Sequence, residues 1–438
     1  MSVNVKAFFQ ATNPGKALFT DNQEIEEKYY IDFSSVRGGK IIEDLKDNIA
    51  MWSPDEPTCQ LFTGHIGCGK STELWLLKQL LEAEGFHVVY FESDKDLEMG
   101  DLDVSDILLT IARQVSESLN TREKLNLDEP RRFKSIIEGA IKLLQTEIEI
   151  SPEVELSFGI AKITAQAKAS PQLRSKLRDY LGPRSNGIIE TINQELLEPA
   201  HKKLKQRGKN GLVVIVDNLD KVDSSPKPWG RPQPEYLFVD RGEQLASLHC
   251  HVIYTLPLAL RFSNDFNTLT QRFKSDPQVL PMVSIQLRDG KEFGEGMAKL
   301  RQLVLARAFP HLEEQQRLEK ITEIFDSTET LDYLCKMSGG HVRNILRILN
   351  DAIKKQKGLP ISSENLNKVI QNFRNERTLA VEDEEWELLR QVAQTQKVKG
   401  DDGYQRLIRS MFVYEYRDDE GSWFDINPLL KDAVELKK

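Results

Sequence analysis

A phosphate-binding pattern occupies the stretch Leu61–Leu74, which reads LFTGHIGCGKSTEL. Residues 64–71 match GxxxxGK[ST] in full; its glycines would let backbone N–H groups turn inward around phosphate oxygens, and the following helix N-terminus adds positive potential. Lys70 would reach the β- and γ-phosphates, and the Ser71 hydroxyl would be a Mg²⁺ ligand. The residues predicted to hold the phosphates are Gly64, His65, Ile66, Gly67, Cys68, Gly69, Lys70, Ser71 and Thr72. The alternative is a glycine turn that only closes a strand–helix connection.

A carboxylate that could lie beside a bound Mg²⁺ ion follows the apolar run in GLVVIVDNLDKVD, residues 211–223. The run is typical of a strand buried on both faces, and it ends in Asp217, where the ligand edge of a parallel sheet would lie. We predict that Asp217 lies on the Mg²⁺ side of a nucleotide. The next residue is Asn218, where many ATPases of this kind carry an acid that positions water. Asp220 would polarise water only if the backbone brings it inward; otherwise it caps a turn and hydrolysis is slow or absent.

The elements around these residues must position them. CQLFT before the loop predicts a buried strand, and TELWLLKQLLEAEG after it predicts a helix ending at a glycine. Further strands are predicted at HVVYFESD and CHVIYTLPL, with a helix at DVSDILLTIARQVSESL. The predicted fold class is α/β, a P-loop NTPase parallel sheet flanked by helices. Because the passage from Lys70 to Asp217 is unusually long, we predict an insertion at about 125–206, with a short β-hairpin around Phe158–Gly159 and a helical arm.

Four segments together carry a family resemblance: GHIGCGKST, VVIVDNLD, CHVIYTLPL and SGGHVRNILRIL. Over about residues 30–355 the chain resembles the AAA+/STAND branch of P-loop NTPases, closest to origin-recognition-type and STAND ATPases. The resemblance implies ATP with Mg²⁺ as the ligand, and contact between the adenine and Val36 and Arg37. It also matches Thr255, at a strand end, to the sensor-1 residue that detects the γ-phosphate or aligns water. A threonine without such a role is the alternative.

Two arginines complete the implied set. Arg343 follows a Gly-Gly turn and resembles sensor 2 of a small helical lid, where it would contact the γ-phosphate and make lid closure depend on nucleotide state. An exposed helix arginine is the alternative, with His341 in its place. Arg272 resembles the arginine finger that oligomeric members present to a neighbouring subunit. Lys274 and Arg261 are competing candidates, and a solvated loop is the alternative.

The C-terminal part predicts helices followed by two strands joined at residues 418–421, which resembles a winged-helix domain. In origin-recognition ATPases such a domain binds DNA; in STAND proteins it packs on the nucleotide domain and regulates it. Acids in the wing turn repel phosphate, while Arg406 and Arg409 are the main basic residues nearby, so regulation or protein contact is favoured. The predicted domains are an N-terminal extension 1–35, an NTPase core 36–290, a helical lid 291–355 and a winged-helix-like domain 356–438.

Bulk properties narrow the class of protein. A net charge of −9 argues against broad nonspecific nucleic-acid binding, although a local basic face stays open. The N-terminus shows no targeting pattern and no apolar window reaches the length of a membrane span, so we expect a cytoplasmic protein. Cys59, Cys68, Cys250 and Cys335 lie far apart, which predicts reduced thiols and no zinc site.

Three functions fit these observations. The first is an ATP-dependent molecular switch whose nucleotide state changes its binding to a protein partner or its homo-oligomerisation, with slow hydrolysis resetting it. The second is a DNA-associated ATPase of the origin-recognition or transposition-regulator kind. The third is a nucleotide-gated scaffold without turnover, an alternative raised by Asn218.

Overall fold

The computed structural model describes residues 3–15, 18, 28–125, 131–143 and 156–437. The chain divides into two compact units. The first unit comprises Met1–Ile41, Gly64–Thr72 and Val279–Lys438, and the second comprises Ile42–Thr63 and Glu73–Gln278. The predicted phosphate-binding loop, residues 64–71, therefore groups with the C-terminal part of the chain, and the strand that ends in Asp217 belongs to the second unit.

A five-stranded sheet forms the centre of the α/β fold. Its strands are β1 (Cys59–Gly64), β2 (Phe86–Glu92), β3 (Gly211–Asp217), β4 (His251–Thr255) and β5 (Gln278–Leu280). Their order is β2-β3-β4-β1-β5, and β2, β3, β4 and β1 are joined in parallel. Every residue of β3 is buried, as its unbroken valine and isoleucine run predicts for a strand covered on both faces. The predicted fold class is confirmed.

Helices flank the sheet and continue after it. In chain order they begin with α1 (Val5–Ala11), α2 (Ile41–Asp47), α3 (Lys70–Ala83), α4 (Ser93–Asp96), α5 (Val104–Thr121), α6 (Arg131–Leu143), α7 (Leu156–Ala169), α8 (Pro171–Leu181), α9 (Ser185–Ile192), α10 (Glu198–Gln206), α11 (Gln233–Glu235), α12 (Gly242–Leu245) and α13 (Phe266–Phe273). The predicted helix after β2 is α5, which begins with a reciprocal capping box between Asp103 and Asp106.

The C-terminal part is helical up to a final hairpin. Its helices are α14 (Gly294–Ala308), α15 (Glu314–Leu318), α16 (Ile321–Ile324), α17 (Thr328–Ser338), α18 (Val342–Gln356), α19 (Ser363–Leu379), α20 (Asp383–Thr395), α21 (Asp402–Arg409) and, after the hairpin, α22 (Val434–Lys437). Antiparallel strands β6 (Val413–Asp418) and β7 (Gly421–Ile426) meet at the predicted turn. Helices followed by this hairpin confirm the winged-helix-like architecture.

One sequence prediction is wrong. Phe158–Gly159, expected in a β-hairpin, lie in helix α7. Among the side chains of α7 that the structure describes, Ile160, Ile163, Thr164 and Ala167 are buried, and their spacings of three and four place them on one helix face. The β-branched residues favoured a strand, but burial follows the helical period. The part of the expected hairpin at residues 144–155 lies outside the described residues.

Each unit has its own apolar core. In the second unit the β2–β4 side chains pack with those of α5 and of helices α6–α10. In the first unit Phe8 of α1 packs with the lid helices α14, α17 and α18. Within the described ranges no helix is long and apolar enough to cross a membrane, and all four cysteines are free thiols.

Candidate functional site

The phosphate-binding loop joins β1 to α3, so the predicted strand–loop–helix context is confirmed. Gly67 and Gly69 have φ angles of +84° and +113°, a region that side chains other than glycine rarely adopt. A Cβ atom on Gly67 would also come within 2.9 Å of Arg343 Cβ and His341 Cε1. Both the backbone conformation and the close approach of the lid turn therefore require glycine at position 67.

Lys70 begins α3 and is 6% exposed. Its Nζ atom donates hydrogen bonds to the Gly64 and His65 carbonyl oxygens, both at 2.9 Å. The Lys70 ammonium group therefore lies against the loop with which it is predicted to bind phosphate. Ser71 and Thr72 occupy the first turn of α3, as the pattern requires.

The N-terminal pair predicted to contact adenine lies in the same unit as the loop. Arg37 is buried, and its Nη2 atom donates a 2.6 Å hydrogen bond to the Cys68 carbonyl oxygen. Its guanidinium group also lies 5.1 Å from the centre of the Phe33 ring. Val36 is buried, and its carbonyl oxygen accepts a 3.0 Å bond from Ser284 N. The structure therefore brings Arg37 directly to the phosphate-binding loop, whereas the backbone of Val36 bonds to Ser284.

The lid turn before α18 contacts the loop through two residues. His341 caps the helix: its Nδ1 atom accepts from Asn344 N at 2.9 Å, so Nε2 carries the proton and donates to the Ile66 carbonyl oxygen at 2.8 Å. Arg343 N donates to the Gly67 carbonyl oxygen at 3.1 Å. Arg343 therefore lies beside the loop, as the sensor-2 prediction requires.

The C-terminal hairpin also contacts the loop. The Glu415 N–H in β6 donates a 2.9 Å hydrogen bond to His65 Nε2, across 350 residues of sequence. The Tyr414 ring lies 5.8 Å from the His341 ring, with the planes 24° apart, and 5.8 Å from the His65 ring, edge to face. Sequence reasoning missed this pairing, because nothing local to either segment signals a contact between residues so distant in the chain.

Both histidines are neutral at physiological pH. Burial, with the nearby His341 and the Lys70 charge, lowers the pKa of His65 to about 3. Burial likewise lowers the pKa of His341 to about 3. Because His65 Nε2 accepts from the Glu415 N–H, its proton resides on Nδ1. Each contact therefore needs one particular neutral tautomer.

Asp217 is fully buried at the end of β3. Its Oδ1 atom accepts from Asn218 N at 2.7 Å, and its Oδ2 atom accepts from the Tyr90 hydroxyl at 2.8 Å. The Ser93 hydroxyl donates to its carbonyl oxygen. These contacts fix the direction of the carboxylate, and oxygen ligands of this kind suit Mg²⁺.

The residue after Asp217 is an asparagine and not an acid, and its backbone conformation accounts for part of this difference. Asn218 has φ +66°, in the left-handed region where asparagine is tolerated better than most residues. Its side-chain Nδ2 atom donates to Asp94 Oδ1 at 2.8 Å and contacts Glu92 Oε2 at 3.4 Å. The position is thus occupied by an amide that holds two neighbouring acids.

Thr255, at the end of β4, contacts the turn that follows Asp217, and Asp220 lies in that turn. The Thr255 hydroxyl accepts from Leu219 N at 2.9 Å and donates to the Val216 carbonyl oxygen at 3.3 Å, so it clamps the backbone on either side of Asp217. Asp220 lies in a short 3-10 turn and is buried.

Arg272 lies in the last turn of α13, where its guanidinium group pairs with Glu243 of the same chain. Of the competing cations, Lys274 adopts φ +54° after the helix, and Arg261 lies over the Phe262 ring. These contacts do not bring Arg272, Lys274 or Arg261 to any other predicted site residue.

Solved structures that are similar to this chain include ORC proteins and a Cdc6p, all at low sequence identity and with TM-scores under 0.5. The Aeropyrum pernix ORC2 protein in its ADP form is 12% identical, with 96% of this chain and 94% of that chain covered and a TM-score of 0.41. Cdc6p from Pyrobaculum aerophilum is 12% identical over 96% and 94%, with a TM-score of 0.39. Drosophila ORC bound to DNA is 11% identical over 97% and 88%, with a TM-score of 0.32. No family model and no curated protein matches the chain.

Proposed function

We propose that this chain is an ATP-binding molecular switch in which the phosphate-binding loop controls the lid turn and the C-terminal hairpin. The observation that carries the proposal is the set of contacts on the loop: Glu415 N to His65, His341 to the Ile66 carbonyl, and Arg343 N to the Gly67 carbonyl. A ligand that changes the loop conformation must change these hydrogen bonds.

The loop would bind ATP through the residues that its pattern predicts. Backbone N–H groups around Gly67 and Gly69, with the N-terminus of α3, would hold the phosphates. Lys70 would exchange its two carbonyl partners for phosphate oxygens. Arg37 would lie on the adenine side and Arg343 on the γ-phosphate side. Bound Mg²⁺ would neutralise charge on the β- and γ-phosphates, and Ser71 and Asp217 are the residues that would hold it.

The coupling follows from competition for the loop. A ligand can shift a conformational equilibrium only through different affinities for the two states. In the present loop geometry His65 Nε2, His341 Nε2 and Lys70 Nζ are hydrogen-bonded to protein groups; a phosphate-bound loop would favour a different arrangement of the same groups. Thr255 would relay changes at the turn after Asp217, and Arg272 would act on a neighbouring copy if the protein forms a homo-oligomer.

Calorimetric titration with MgATP tests this function. We expect wild type to bind, and Lys70→Ala to bind roughly 30- to 150-fold more weakly, because a lost hydrogen bond to a charged group is worth about 2–3 kcal/mol. Lys202→Ala, an exposed lysine on α10, is the matched control and should bind like wild type. Light scattering on the same samples reads any change of mass with ATP. Equal affinities for wild type and Lys70→Ala would contradict the proposal.

DNA association is the second candidate function, and the hairpin bears on it. Asp418 in the wing turn accepts two hydrogen bonds from Arg288, and Arg406 on α21 lies 3.7 Å from Glu382. Both contacts engage basic side chains that a phosphate backbone would otherwise attract. Titration with duplex DNA at low and high salt separates the candidates, since phosphate contacts weaken steeply with salt.

A further inference from the structure

We propose that Glu92, at the end of β2, is the carboxylate that accepts a proton from the attacking water during ATP hydrolysis. The inference rests on the proposed ATP-binding function. It answers the question raised by Asn218: a side-chain amide cannot act as a general base, so turnover requires a carboxylate from elsewhere.

Strand register places Glu92 beside the metal-side carboxylate. Glu92 is the direct partner of Asp217 in the parallel pairing of β2 and β3. Partner residues in adjacent strands direct their side chains to the same face, and so do residues two apart along one strand. Tyr90, Glu92 and Asp217 therefore share one face of the sheet, in agreement with the hydrogen bond from the Tyr90 hydroxyl to Asp217.

Helix α3 covers this same face. The Trp75 ring of α3 lies 5.5 Å from the Tyr90 ring. Glu92 lies two residues beyond Tyr90, at the carboxyl edge of the strands, where parallel α/β sheets bind their ligands.

The two acids that Asn218 contacts are held differently. Asp94 accepts from the Asn218 amide on one oxygen and from Lys221 Nζ on the other, both at 2.8 Å. Although burial raises the pKa of Asp94, these hydrogen bonds hold it below its usual value, which makes Asp94 a weak base.

The carboxylate of Glu92 has fewer short contacts than that of Asp94. Its Oε1 atom accepts from Lys95 Nζ at 2.9 Å, while its Oε2 atom has, within the described part of the chain, only a long 3.4 Å contact from Asn218. The side chain is 23% exposed, so water can reach it.

In the proposed hydrolysis, water attacks the γ-phosphate of ATP. The water oxygen forms a bond to the γ-phosphorus, and the bond from that phosphorus to the β,γ-bridging oxygen breaks, with ADP taking the electron pair. One water proton moves to the Glu92 carboxylate and later passes to solvent. The products are ADP and inorganic phosphate.

The test compares ATP binding with single-turnover hydrolysis in wild type, Glu92→Gln and Asp220→Asn. We expect Glu92→Gln to bind MgATP within threefold of wild type and to hydrolyse it at least about 100-fold more slowly, the usual contribution of a general base. Bound nucleotide, released by acid and identified, should be ATP in this variant and ADP in wild type. Glu84→Gln makes the same chemical change before β2 and should hydrolyse like wild type.

Other outcomes overturn the inference. Glu92→Gln turning over within threefold of wild type would do so, and loss of turnover in Asp220→Asn alone would assign the role to Asp220. Wild type that binds ATP without hydrolysing it also removes the role, and leaves a nucleotide-gated scaffold. Failure of wild type to bind ATP is separate, since it removes the proposed function itself. If Glu92→Gln has a lowered melting temperature, Glu92→Asp replaces it in the test. Its shorter carboxylate should slow turnover, and turnover should still fall at acid pH.

Discussion

The phosphate-binding loop and the acidic end of β3 organise their polar groups in contrasting ways. Around the loop, neutral buried groups join segments hundreds of residues apart, as in the bond from Glu415 to His65. Beside the end of β3, where Asp217 itself is buried, partly exposed carboxylates pair with lysines and an amide, as Asp94 after β2 does with Lys221 and Asn218 after β3. Neutral buried bonds specify one geometry, and exposed ion pairs are weaker and adaptable.

The contrast assigns different tasks to the two regions. Contacts that link the loop to the lid and the hairpin suit it to transmit a change of nucleotide state. Accessible carboxylates suit the end of β3 to proton transfer. Variants that disturb one task and spare the other therefore test the division.

Gly67→Ala should have the largest effect on the loop region. The added Cβ would meet Arg343 and His341 at 2.9 Å, and φ +84° is strained for alanine, so we expect a loss of about 1–3 kcal/mol of stability and displacement of the lid turn. Thermal unfolding and hydrogen exchange in α18 measure both. Gly69→Ala is the matched control, because it shares the positive φ but its Cβ meets nothing closer than Arg37 Nη1 at 3.9 Å. Equal exchange in α18 for the two variants would argue against a lid contact at Gly67.

His65→Ala should release the hairpin. The variant leaves the Glu415 N–H without its acceptor, a cost of about 1–3 kcal/mol for a buried group, so exchange at that amide should rise roughly 10- to 100-fold. Ile66→Ala is the control, since its side chain is 43% exposed and its carbonyl contact to His341 is unchanged. Exchange in β6 that is identical in both variants would mean that His65 does not hold the hairpin.

Acid should weaken the loop region through the same two histidines. Their pKa is about 3 when folded and near 6.5 when unfolded, so between these values the unfolded chain binds more protons and stability falls as pH falls. At pH 5 the loss is up to about 2 kcal/mol per histidine. The melting temperature of wild type should fall more between pH 7.5 and 5 than that of the double variant His65→Ala/His341→Ala. His311→Ala, an exposed histidine, should behave like wild type.

The two regions also differ in how much of each could be predicted from the sequence. Local patterns predicted β1, the loop, α3, the β3 strand to Asp217 and the β6–β7 hairpin, because each depends on periodicity or on glycine at defined positions. Arg37 and Arg343 were found beside the loop through family resemblance. The bond from Glu415 to His65 could not be predicted, since it depends on tertiary packing that brings distant segments together. Glu92 became visible only through the register between β2 and β3.

Hydrogen exchange of the β6–β7 hairpin with and without MgATP tests the central claim most directly, with Lys70→Ala measured beside wild type. We predict that MgATP changes exchange at Glu415 and its neighbours in wild type, and that Lys70→Ala shows no change at the same nucleotide concentration. Nucleotide binding that leaves hairpin exchange unaltered in wild type would contradict the account, because the loop would then bind its ligand without affecting the contacts to the C-terminal hairpin.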